Sequence, residues 1–254
     1  MIQWKCIYVL WLRELKKFSR SKSRIIGMIT MPLFILLFFG MGFRRMAVPG
    51  LPADINYVKF LVPGMIGMNM LFTSIIGGIS VLWDREFGFL KEIMVAPVSR
   101  ISIVLGRIAG GMSTAMINGI LLLLISLVTG LKITGAVQVL FALLIMLLIS
   151  ASFISVGLIF ASRMKDMQGF SIIMNFVTFP LLFLSGAMYP IANLPAPVRV
   201  LSYLDPLTYG VDALRYALLG SSALPVMADM AALSVSAAVL IGLGAYFFET
   251  SETL

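Results

Sequence analysis

Six times along this chain a run of 19 to 24 residues passes without a single Asp, Glu, Lys or Arg. The runs are 25–43, 60–83, 108–130, 137–160, 170–188 and 230–248. Each is long enough for a helix to cross the hydrocarbon core of a bilayer, which takes about 20 apolar residues. Most of a small soluble domain's residues must meet water. Here 60% of the 254 residues are hydrophobic and only 12% are charged, against about 25% charged in soluble domains. A soluble enzyme and a disordered chain are both excluded. The expected fold is an all-α membrane protein of six transmembrane helices forming one domain, 1–254.

The segment before the first run, 1–24, carries Lys5, Arg13, Lys16, Lys17, Arg20, Lys22 and Arg24 against one acid, Glu14. Trp4, Ile7, Tyr8, Trp11, Leu15 and Phe18 recur at helical spacing on one face. Such a helix suits the headgroup layer, aromatic side down and basic side up; Leu10 and Leu12 interrupt the polar face, so packing on protein is the other reading. A signal peptide does not fit. The basic region is too long, and run 25–43 exceeds the usual apolar core of about 7–15 residues. Pro32 predicts a kink in the first span, and Pro180 lies inside the fifth. Only 131–136 separates the third and fourth spans, which predicts a tight antiparallel hairpin.

Six spans place both termini on one side. The N-terminal segment, 84–107 and 161–169 together hold 13 of the 19 basic residues, whereas Arg44, Arg45, Lys59, Lys132, Arg199 and Arg215 make six on the other side. The positive-inside rule puts the richer side in the cytoplasm. The expected location is the plasma membrane, multi-pass, with both termini cytoplasmic. The +8 charge thus reads as orientation rather than nucleic-acid binding.

The connection 189–228 on the outer side stays strongly apolar. Two short helices are predicted in it, 197–204 and a second starting at Asp205 as N-cap with Pro206 at the first helical position and ending near Gly220. Asp212 and Arg215, spaced i, i+3, can pair. Each piece is too short to cross, so the expectation is two re-entrant helices covered by protein.

The chain has no histidine and one cysteine, Cys6, which removes histidine acid–base chemistry, His or multi-Cys metal sites and intrachain disulfides. No acid or base lies mid-span, where gradient-driven carriers usually keep one at considerable cost. Asn69, Asn118 and Asn175 are the main polar groups inside the spans. They read as interhelical hydrogen-bonding groups or as polar spots on a substrate path. No Gly-x-x-x-x-Gly-Lys-Ser/Thr loop occurs, so energy must come from another subunit. The docking candidate is the cytoplasmic connection 84–107. Asp84, Arg85, Glu86, Lys91 and Glu92 form a charged face, and Phe87, Phe89, Leu90, Ile93 and Met94 supply apolar anchors. An ordinary surface loop is the plainer alternative. Gly106 and Gly110 form a small-xxx-small pattern that predicts close helix packing. The 18 methionines suit core filling or an adaptable apolar surface.

Three features together resemble the membrane subunit of type-2 ABC exporters, the ABC-2 permease family. They are the basic amphipathic N-terminal helix with six spans, the segment DREFGFLKEIMVAPVSRISIVLGR at 84–107, and LSGAMYPIANLPAPVRVLSYLDPLTYGVDALRYALLG at 184–220. The family usually has Asn where this chain has Asp205; Asp caps a helix equally well. The resemblance implies a homo- or heterodimer of permease subunits above two ABC ATPase subunits, which hold ATP and Mg; the chain itself binds no cofactor. It implies a coupling helix that uses Asp84, Arg85, Glu86, Phe87, Gly88, Leu90, Lys91, Glu92, Pro97 and Ser99. It implies an outward gate at Tyr189, Pro190, Leu194, Pro195, Asp205, Pro206, Tyr209, Asp212 and Arg215. It also implies a path between protomers lined by the first and fifth spans, with Phe34, Phe38, Asn69, Asn175 and Phe179 as candidates. The implied function is ATP-driven export.

Phenylalanines dominate the first and fifth spans, and neither holds a Tyr or Trp. A sugar channel benefits from rings with a polar edge, so a drug or lipid-like cargo is favoured over a lipid-linked glycan or polysaccharide. Readings of another class are a gradient-driven carrier, a non-transporting membrane scaffold and a membrane-embedded enzyme. The last lacks any visible cluster of nucleophile, base or metal ligands.

Overall fold

A computed structural model describes residues 3–42, 56–89, 93, 95, 97–127, 135–164 and 166–250. Among the described residues every regular element is a helix. In chain order they are α1 (Trp4–Arg20), α2 (Lys22–Gly42), α3 (Tyr57–Glu86), α4 (Arg100–Ser126), α5 (Ala136–Arg163) and α6 (Met167–Leu184). A 3-10 turn at Ile191–Asn193 follows, then α7 (Ala196–Ser202), α8 (Pro206–Leu219) and α9 (Val226–Glu249).

Local chemistry sets several boundaries. Asn56, Ser99, Asp166 and Asp205 are N-caps whose side chains accept the backbone N–H of Lys59, Ser102, Gly169 and Leu207, satisfying donors that a helix start leaves unpaired. Pro206 opens α8 and Gly220, at φ 73°, closes it, an order set by the missing proline N–H and the glycine's freedom at positive φ.

Among the described residues five helices are long and apolar enough to cross a membrane: α3, α4, α5, α6 and α9. The bent pair of α1 and residues 25–38 of α2, at 67° to one another, is the sixth candidate. With 30 residues, α3 is about 45 Å long at 1.5 Å per residue, so part of it extends beyond a hydrocarbon core of about 30 Å. The sixth helix ends at Leu184, earlier than the expected 188, because Gly186 at φ 69° turns the chain. The ends of the first and third expected spans, at Phe43 and at 128–130, lie outside the described residues, as do Arg44, Arg45, Lys132 and Lys165.

The core gathers around α3 and α5, which pack on each other and on α4 and α8; α9 closes over α5 and α8. A β-carbon on Gly157 of α5 would stand 2.7 Å from the Ile75 carbonyl oxygen of α3, so the two helices meet backbone to backbone. Ser150, Ser152, Ser155 and Ser162 of α5 donate to their own helix's carbonyls three or four residues back, which settles hydroxyls that lipid could not. Helices α2 and α6 sit at the edge and leave many large apolar side chains uncovered.

Both described ends of the chain lie at one end of the bundle. The Gln3 N–H donates to Ser102 Oγ at 2.8 Å, and Arg100 donates to the Glu249 carbonyl at 2.6 Å. We call this the basic end.

Candidate functional site

At the basic end α1 lies directly on α4 rather than only in a headgroup layer. Gly106 and Gly110 make the approach possible: a β-carbon on Gly110 would stand 2.7 Å from Glu14 Cβ, and one on Gly106 would stand 2.9 Å from Leu10 Cβ. The expected aromatic face is therefore divided. Phe18 is buried and the Trp11 indole donates to Ser113 Oγ at 2.8 Å, whereas Trp4 and Tyr8 stay exposed. Leu10, which interrupts the polar face in sequence, is buried in this contact.

Four charges lock the contact. Arg13 of α1 donates both guanidinium nitrogens to Asp84 at the end of α3, at 2.6 and 2.7 Å. Arg107 of α4 bridges Glu14 of α1 at 2.7 Å and also pairs with Asp84. Arg107 and Asp84 are each 3% exposed. Two acids and two bases alternate, so each charge faces opposite ones, the condition under which a buried ion pair is tolerated. The Arg13 guanidinium also lies 3.8 Å from the centre of the Phe89 ring, a cation–π contact.

Asp84 is thus corrected: it is not part of an exposed charged face, because two arginines draw it inward. Arg85 also turns to protein, donating to the Met164 carbonyl at 2.8 Å. Glu86 and Phe87 do project, and Phe87 is 79% exposed. Gly88, at φ 76°, turns the chain beyond α3. Pro97 is exposed, and Ser99 is half-buried as the cap of α4. Leu90, Lys91 and Glu92 lie outside the described residues, as does Met94. A groove of about 670 Å³ runs between α1 and this segment, walled by Trp4, Val9, Leu10, Phe89, Ile93 and Val98.

At the opposite end the segment after α6 folds inward. Helix α8 is buried along most of its length against α3, α5 and α9; its 14 residues reach only about 21 Å. Arg215, counted in sequence as an outer-surface charge, is 4% exposed. It pairs with Asp212 at 3.7 Å, donates to the Gly186 carbonyl at 2.8 Å and lies 4.0 Å from the Phe60 ring centre. Asp212 in turn accepts from the Ala223 and Leu224 N–H groups, and so ties the entry of α9 to α8. Asp205 caps α8, and burial pushes its carboxyl up to about 8 against the lowering pull of the Leu207 N–H. Tyr209 donates to the Tyr203 carbonyl at 2.7 Å and Tyr189 to the Phe183 carbonyl. Pro190 and Leu194 flank the 3-10 turn, Pro195 precedes α7 and Pro206 starts α8. Asp229 of α9 is wholly buried, and neither of its carboxylate oxygens has a hydrogen-bond partner among the described residues.

The candidate path residues separate into two sets. Phe34 and Phe38 of α2 are 52% and 69% exposed, with rings stacked at 5.7 Å. Asn175 and Phe179 of α6 are exposed as well, beside Phe176 at 82%. Asn69 is not on such a face. It is 6% exposed and its amide donates to the Met28 carbonyl of α2 at 2.8 Å. Asn118 donates to the Met28 sulfur at 3.1 Å. Residue spacing did not bring Glu14 and Arg107 together. The available signal was Glu14's position as the lone acid among seven bases.

Residues 5–219 match the family described as ABC-2 type transporter. Among curated relatives, the inner membrane transport permease YadH of Escherichia coli (strain K12) is 28% identical over 92% of this chain and 91% of its own length. Nodulation protein J of Sinorhizobium fredii (strain NBRC 101917 / NGR234) is 28% identical over 85% of this chain and 82% of its own. The putative transport permease ycf38 of Cyanophora paradoxa is 25% identical over 83% and 73%. A match across most of the chain, on a bundle of five to six candidate spans, carries the assignment: this chain belongs to the ABC-2 type transporter family.

Proposed function

We propose that the chain is the membrane-spanning subunit of an ATP-driven exporter that moves a hydrophobic or amphipathic compound, drug or lipid-like, out of the cytoplasm or inner leaflet. Two permease subunits work above two ABC ATPase subunits, which hold ATP and Mg and do the hydrolysis. The basic end faces the cytoplasm, with both termini there, in the plasma membrane.

One observation carries this reading: the four-charge lock of Arg13, Glu14, Asp84 and Arg107 joins α1, α3 and α4 where Glu86 and Phe87 project. A push on Glu86 and Phe87 at the end of α3 reaches, through Asp84, both α1 and α4. The groove beside it offers apolar walls to a partner's side chains. The uncovered Phe34, Phe38, Asn175 and Phe179 support a path between protomers, because a polar Asn on a lipid-facing surface is costly and a facing subunit offers it partners. Phenylalanine lining favours an apolar cargo over a sugar. The turn after α6, with Tyr189, Pro190, Leu194, Pro195, Asp205, Pro206, Tyr209, Asp212 and Arg215, forms the outer gate, and α7 and α8 are its re-entrant pieces.

The test is reversal of charge at Glu86 and Lys91. Both reversals together should weaken recovery of the ATPase with the permease and slow ATP-driven export. Unchanged assembly and export remove the coupling assignment.

A further inference from the structure

Pro32 lies in the middle of α2 and is buried against its neighbours. Proline has no N–H, so the carbonyl four residues earlier loses its helical partner. That carbonyl belongs to Met28. In lipid an unpaired carbonyl is costly, and a side chain of a neighbouring helix can fill the vacancy. The Asn69 amide of α3 does so at 2.8 Å. Asn118 of α4 holds the same residue through its sulfur at 3.1 Å. Two helices therefore grip α2 at one point, one turn before the proline.

Beyond that point α2 is loosely seated. Pro32, Leu33 and Leu36 face Met65, Ile66 and Leu122 across an apolar cavity of about 20 Å³. With almost no polar lining it attracts no water. At this turn one of the backbone hydrogen bonds that resist bending is the one proline removed, so the half of α2 after Pro32 meets less resistance to closing into this space.

We propose that Pro32, Met28 and Asn69 form a hinge in α2: Asn69 is a positioning residue that replaces the missing Pro32 amide, pins the first half of the helix and leaves the second half to swing. The hinge does not depend on which compound crosses or on what drives it.

The experiment is a double-mutant cycle on the full chain purified in detergent, read as thermal midpoint. Asn69→Ala alone should lower the midpoint by about 2–4 °C, the scale of one lost hydrogen bond in a chain of this size. Pro32→Ala restores the N–H to Met28, so in that background Asn69→Ala should change the midpoint by less than about 1 °C. Equal losses in both backgrounds overturn the proposal. If Asn69→Ala fails to fold, the double variant must fold; its failure also overturns it. A second reading, which rests on the exporter assignment, is export by the assembled complex. Pro32→Ala should slow export severalfold with the midpoint unchanged or raised and ATPase assembly intact. Full export by Pro32→Ala overturns the swing, whereas an intact stability cycle in a chain that exports nothing counts against the exporter reading alone.

Discussion

Arg107, two turns into α4, and Asp84, near the end of α3, meet in the interior, and each also holds a charge on α1: Arg107 takes Glu14 and Asp84 takes Arg13. The N-terminal helix is thereby packed into the bundle against α3 and α4.

Removing one member of a buried pair strands the others. Asp84→Ala should destabilise the chain by about 3–5 kcal/mol and release α1. Cys6 is the chain's one cysteine and is partly covered in α1, so maleimide labelling reports on α1 alone. The variant should label faster than the parent; equal labelling rates contradict the lock.

The Gly110 contact with Glu14 leaves no space for a branched side chain. Gly110→Val should cost about 1–3 kcal/mol through overpacking and speed Cys6 labelling like Asp84→Ala. Gly242, where a β-carbon would meet nothing within 4 Å, is the control: Gly242→Ala should leave Cys6 labelling unchanged and should not destabilise the chain, alanine being the better helix former.

At Asp205 the folded chain holds the proton more tightly than the unfolded one, with a carboxyl pushed to about 8 from 3.8. The unfolded state binds fewer protons across that interval, so stability should fall as pH rises from about 4 to about 8 and then level. Asp205→Asn keeps the cap and removes this group's contribution. Thermal midpoints at pH 5 and pH 8 should diverge more in the parent than in the variant.

Glu86 and Phe87 are exposed. Glu86→Ala and Phe87→Ala should each alter stability by less than about 0.5 kcal/mol. Both should reduce recovery of the ATPase with the permease in a pull-down. A stability loss as large as that of Asp84→Ala would show that the segment packs on the bundle instead.

Much of the fold is legible in the sequence because it is local. Uncharged runs expose the helices, Asp205 and Pro206 the start of α8, and Gly106 and Gly110 a close helix contact. The partner of those glycines is not legible, nor is the inward turn of Asp84. Both depend on the height and rotation of helices distant in sequence, which residue spacing does not encode. Asn69 marks the same boundary. Its polarity is visible as a choice between a helix contact and a path. The choice is decided by Met28, whose vacancy the Pro32 spacing already contained but whose nearness to Asn69 it did not.

The most direct measurement is transport in liposomes with the chain alone and with its ATPase subunit, using an apolar fluorescent dye as cargo. ATP hydrolysis and dye movement should require the ATPase, ATP and Mg together, and the chain alone should do neither. Dye movement by the chain alone down a gradient, unaffected by adding ATPase and ATP, would contradict ATP-driven export.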